Sequence, residues 1–140
     1  MNGVEQVVTG TTQHEAQIRP LRACIAVEGV PTPDGRLIAP YAINWPIGVA
    51  VSLRKDGSLI GYVKVTSANT DGSGEVWASL FVEPDTLSGT VGLGVDLVIG
   101  ETDYADGTTL GGRLVGVSVI PVDKVCWPQC VRTIDEGGNA

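Results

Sequence analysis

A chain of 140 residues is long enough to bury one core and too short to divide into two. Its formal charge of -7, from 16 acidic against 9 basic side chains, argues against a nucleic-acid surface, which needs clustered Lys and Arg. No apolar run approaches the roughly 20 residues of a membrane helix, and 19 glycines and 8 prolines spaced by Val, Ile and Thr predict strands and turns with little helix.

Residues 1–17 are polar, without sustained period, and read as a flexible arm in which Thr11, Thr12 and His14 are candidate contacts to a partner. They lack the basic start and apolar centre of a secretion signal, so the protein is expected to work in the cytoplasm where it is made or in a particle assembled there. From Ile18 a first strand is expected, with Leu21, Ala23, Ile25 and Val27 alternating against Arg22, Cys24, Ala26 and Glu28. Pro31, Pro33, Asp34 and Gly35 then set a turn, and residues 37–43 form an extended segment or a short helix, Pro40 favouring the former.

Asp56-Gly57 marks a hairpin, because that pair readily supplies the positive φ of tight turns, and the Gly- and Asn-rich residues 69–74 mark a second. The resulting meander is expected to bury Tyr62, Val63, Val65, Val76, Trp77, Leu80, Phe81 and Val82. Residues 84–89 read as a turn, 91–99 as a strand whose glycines permit close approach, and 101–112 as a polar loop with room for a small hairpin. Residues 114–122 are nearly all apolar, as in a central strand, and 135–140 read as a disordered tail. The whole is a mainly β domain over 18–134, a small closed or nearly closed barrel of roughly six to eight strands, with a sandwich as the other candidate.

Three cysteines, Cys24, Cys126 and Cys130, are too few for a disulfide scaffold, and their spacing matches no familiar zinc pattern. Buried thiols or one disulfide are expected, and no metal or other cofactor. The carboxylates Asp71, Glu75, Asp103 and Asp106 fall in turn-like segments where solvation explains them, and the three tryptophans, Trp45, Trp77 and Trp127, fit a core or an interface.

Residues 27–45, VEGVPTPDGRLIAPYAINW, resemble the opening of the prohead (capsid maturation) protease family of tailed phages. VGLGVDLVI at 91–99 resembles the family strand that bears the nucleophilic serine, and GGRLVGVSVIPV at 111–122 resembles its late strand, in the family order. The resemblance implies a protease-like barrel, yet it sets Gly94 at the nucleophile position. The strand expected to follow the family histidine is present near residues 56–61 with no histidine before it. The one imidazole, His14, precedes the first strand. A hydroxyl without a general base, or a base without a hydroxyl, does not cleave peptides by this route. Ser52, Ser58, Ser67, Ser79 and Ser118 lack a Gly-x-Ser-x-Gly elbow, and a Ser-Lys device using Lys55, Lys64 or Lys124 would need lysine burial that their polar surroundings do not suggest.

The expectation is therefore a degenerate member, not an enzyme: a virion structural protein, made in the host bacterial cytoplasm and bound to the major capsid protein on the capsid exterior as a decoration or minor capsid protein. A homo-trimer at threefold positions is expected, with Glu101, Asp103, Tyr104, Asp106 and Trp127 joining the arm as candidate contacts. The competing classes are an active maturation protease using other residues and a carbohydrate- or cell-surface-binding module, the latter marked by exposed tryptophans.

Overall fold

A computed structural model describes residues 20–46, 48–68, 72–83 and 86–134. The arm at 1–17, with Thr11, Thr12 and His14, and the tail at 135–140 lie outside the described residues, as does Asp71. The strands in chain order are β1 (Leu21–Val27), β2 (Leu37–Ile38), β3 (Ile43–Asn44), β4 (Val51–Lys55), β5 (Ser58–Ala68), β6 (Glu75–Val82), β7 (Gly89–Val98), β8 (Tyr104–Ala105), β9 (Thr108–Thr109), β10 (Gly112–Ile120) and β11 (Val131–Ile134). Among the described residues the helical content is three single 3-10 turns, Glu101–Asp103, Val122–Lys124 and Pro128–Cys130. No helix among the described residues is long and apolar enough to cross a membrane.

The protein is mainly β, and its principal sheet is a nearly closed barrel in the order β1-β6-β5-β4-β10-β7-β11, with β3 added beside β10. Local chemistry builds the meander β4-β5-β6. Asp56 and Gly57 both take positive φ, 52° and 82°, so the two-residue turn twists with its strands and fixes their antiparallel register. The same device recurs at Asp106 and Gly107, φ 50° and 79°, and makes the small hairpin of β8 and β9. Long-range pairing does the rest. The apolar β10 lies centrally, parallel to β4 and antiparallel to β7, as an almost uninterrupted run of Val, Leu and Ile requires. Leu21, Ile25, Leu53, Val63, Leu80, Leu93, Leu114 and Val117 fill the interior.

β1 departs from simple alternation. A bulge between Cys24 and Ala26 shifts its register against β6, and Cys24, Ala26 and Glu28, expected on the polar face, are buried. The cause is cover on both sides, because the 128–130 turn packs against β1 from outside the barrel wall. The expected buried set of the meander is also half corrected. Val63, Val76, Leu80 and Val82 are interior, while Tyr62 is half exposed and pairs with Phe81, which with Trp77 is only partly buried on the other face. Strand alternation cannot send both Tyr62 and Val63 inward.

Residues 37–43 are neither one strand nor a helix. β2 ends at Ile38, a turn follows in which Ala42 N–H donates to Ala39 O, and Tyr41 takes φ 63°, after which β3 begins. β2 joins β9 and β8 in a separate three-stranded sheet, with Leu37 opposite Thr108 and Ile38 opposite Thr109 in parallel. The predicted polar loop at 101–112 is thereby tied to the 27–45 stretch through backbone hydrogen bonds.

Candidate functional site

The two strands that carry the family-like motifs lie side by side, with Gly94 of β7 opposite Ser118 of β10 and Asp96 opposite Gly116. Ser118 Oγ donates to Asp96 Oδ2 at 2.9 Å. Ser52, opposite Gly116 on β4, completes the group: a Cβ at 116 would sit 2.8 Å from Ser52 Oγ and 3.3 Å from Asp96 Oδ2. Two hydroxyls and one carboxylate thus converge over a glycine. The Ser118 hydroxyl is taken up by Asp96, with no imidazole beside it among the described residues to act as a general base. Lys55, Lys64 and Lys124 are all exposed, so none has the desolvation that makes lysine a base.

Gly94 itself lines a cavity of about 520 Å3. The cavity opens between β7 and the small sheet, with Leu37, Leu97 and Trp127 as apolar walls and Arg36, Tyr104 and Cys126 as polar ones. A Cβ at 94 would meet Ile120 Cδ1 at 3.3 Å, a flexible side-chain tip, so the backbone there accommodates a side chain even though this sequence supplies none. Arg36 is not a free cation. Its Nε donates to both Asp34 oxygens, at 3.1 and 3.0 Å, while the Thr32 hydroxyl donates to the same carboxylate. The Thr32 hydroxyl first and the Arg36 guanidinium second hold the Asp34 carboxyl pKa below its ordinary value, and the Asp34 carboxylate in turn raises that of Arg36.

A second polar centre was not legible as such. Glu28, at the end of β1, is 3% exposed, and its carboxylate accepts the backbone N–H of Tyr41 at 3.0 Å and of Ile43 at 3.1 Å. Its own N–H donates to Gly74 O at 2.7 Å. Gly74 has φ 84°, and a Cβ there would lie 1.9 Å from Glu28 O, so only glycine fits beside it. The one sequence signal was an acidic residue closing an apolar strand. Glu28 organises the turn that the family-like opening motif encodes, and it also lines a cavity with Tyr41, Ile43 and Trp45.

The candidate contacts divide. Glu101, Tyr104 and Asp106 are exposed. Asp103 instead folds its loop: its Oδ2 accepts Gly100 N–H at 2.9 Å and its carbonyl accepts Leu110 N–H at 2.6 Å. Trp127, expected at a subunit interface, is 4% exposed and donates Nε1–H to Val30 O at 2.7 Å. A large ring beside a thinly covered barrel wall is drawn into this chain's own core. Trp45 and Trp77 are half-buried, and the Arg22 guanidinium lies 5.4 Å from the Trp77 ring centre. Among the described residues no group of three or more His, Cys, Asp or Glu is arranged to hold a metal ion.

No family model, curated protein or solved structure matches the chain.

Proposed function

We propose that this protein is a non-enzymatic structural component of a tailed-phage particle, bound to the major capsid shell as a decoration or minor capsid protein that stabilises it. The observation that carries the reading is position 94. The family-like strands stand together on one barrel wall beside a cavity, yet the residue matched to the nucleophile is a glycine, and the neighbouring hydroxyl of Ser118 is bonded to Asp96 with no imidazole in the chain after residue 14. A scaffold with this shape, a glycine at the nucleophile position and no imidazole base beside it keeps a binding surface and loses acyl chemistry.

The step from scaffold to capsid role is by analogy with the family. Two physical features support it. A barrel pinned by a tight Asp-Gly hairpin and a central β10 is rigid, and a net charge of -7 suits docking on a basic patch of a shell protein. The β8-β9 hairpin, with Glu101, Tyr104 and Asp106 exposed, is the proposed contact region.

Quantitative mass spectrometry of purified mature particles tests the reading. Full-length chain at a fixed, high ratio to the major capsid protein is the expected result. Absence from mature particles, or self-cleaved fragments of the chain, would overturn it in favour of a maturation protease or assembly factor.

A further inference from the structure

The most telling unassigned feature is a pair of thiols at the seam of the barrel. The seam lies where the terminal strands of the sheet, β1 and β11, face one another without a ladder between them. It is held by side chains: Arg132 Nε donates to Arg22 O at 2.8 Å, and the 128–130 turn packs on β1. Cys24 of β1 and Cys130 of that turn are 2% and 0% exposed and belong to the same core cluster. Both are free thiols, brought together where the 128–130 turn packs on β1, and Cys24 Sγ donates to Ala26 O at 3.3 Å. Cys126 is half-buried and lines the cavity.

We propose that Cys24 and Cys130 form a disulfide that staples β1 to the segment leading into β11, closing the barrel when the protein meets a low-molecular-weight disulfide oxidant. The inference does not depend on the capsid reading. Chemically it is two thiol-disulfide exchanges. Cys24 sulfur attacks one sulfur of the oxidant, the oxidant's S–S bond breaks, and one small thiol leaves with a proton. Cys130 sulfur then attacks Cys24 sulfur in the mixed disulfide and expels the second small thiol. Two protein S–H bonds and one S–S bond are exchanged for one protein S–S bond and two small-molecule S–H bonds, so the two electrons lost by the protein reduce the oxidant.

The local electrostatics assign the order. The hydrogen bond from Cys130 holds the Cys24 thiol below its ordinary value, while that same contact and burial push the Cys130 thiol up. Cys24 is therefore the first nucleophile. Once its charge is lost in the mixed disulfide, the contact that kept Cys130 protonated is gone. Burial makes the reaction wait on local opening of the 126–130 segment, so it is slow compared with modification of Cys126.

The test uses the full chain, reduced and then incubated with oxidised glutathione, followed by intact mass, non-reducing peptide mapping and thermal melting. The expected result is a mapped Cys24–Cys130 cross-link, a loss of about 2 Da in Cys126→Ser (in the wild-type chain the same loss accompanies a glutathione adduct on Cys126), and a melting temperature raised by roughly 5–10 °C, because the bond closes a loop of about a hundred residues in the unfolded chain. Reductant reverses the rise, and Cys126→Ser leaves the cross-link and the rise intact. A mapped Cys126–Cys130 bond, a glutathione adduct on Cys126 alone, or no cross-link at all would overturn the proposal. Mapping the wild-type chain decides the matter even where Cys24→Ser or Cys130→Ser proves too unstable to fold.

Discussion

At the scale of single residues, Glu28 shows how one buried carboxylate can hold a turn that apolar packing alone would leave loose. Two backbone N–H groups of the 39–43 turn point at it, and Tyr41 there sits at φ 63°, a conformation costing an L-residue about 1–2 kcal/mol. Glu28→Gln keeps the volume but offers one acceptor and a donor where two acceptors are needed, leaving a buried N–H unmatched. A loss of about 2–3 kcal/mol in urea denaturation is expected, with little change in the slope. Asp34 offers a pH signature in the same stretch. Its carboxyl is held low by the Thr32 hydroxyl first and by Arg36 second, so the turn is favoured above the ordinary carboxylate range and loosens as pH falls through the lowered value. An NMR titration should find Asp34 below a typical aspartate, and Thr32→Val should move it back up.

Elements depend on what packs across them. The segment from Pro121 to Cys130 crosses outside β1 and β7, and its anchor is Trp127, whose ring sits in the core and whose N–H satisfies Val30 O. Trp127→Phe removes that donor and part of the ring volume, leaving the Val30 carbonyl without its partner and a small void in the core. The expected cost is about 2–3 kcal/mol by thermal or chemical unfolding. The central pair β7-β10 behaves differently at position 94, where the extended backbone and the flexible Ile120 tip leave space for a side chain. Gly94→Ser should fold with a stability change under about 1 kcal/mol and should gain no peptide cleavage in an assay against unfolded protein, since the new hydroxyl has no general base.

At the scale of the whole molecule, barrel closure rather than length or helix content sets what the surface can do. Every long strand is paired on both sides except β1 and β11, and these two face each other, so little open edge is left for pairing with a second chain. The exposed hairpin of Tyr104 and Asp106 is a side-chain surface left open by this closure. The trimer proposed for the capsid role should appear in light scattering of the purified protein or of the protein bound to shells; a monomer in both settings would remove it.

Much of the fold was readable in the residues. The Asp-Gly turns at 56–57 and 106–107, the apolar run of β10 and the Gly-rich β7 each state their own conformation, because positive φ and continuous burial are local requirements that few residues satisfy. The lack of a hydroxyl at 94 and of a histidine after residue 14 was equally plain. Tertiary structure alone decided that Glu28 is buried, that Cys24 and Cys130 share one buried cluster, that Trp127 turns inward, and that the 101–112 loop is clamped to β2. Each of these depends on a partner far away in the chain. A one-dimensional pattern records the period of a strand, but it does not record which distant segment covers its second face.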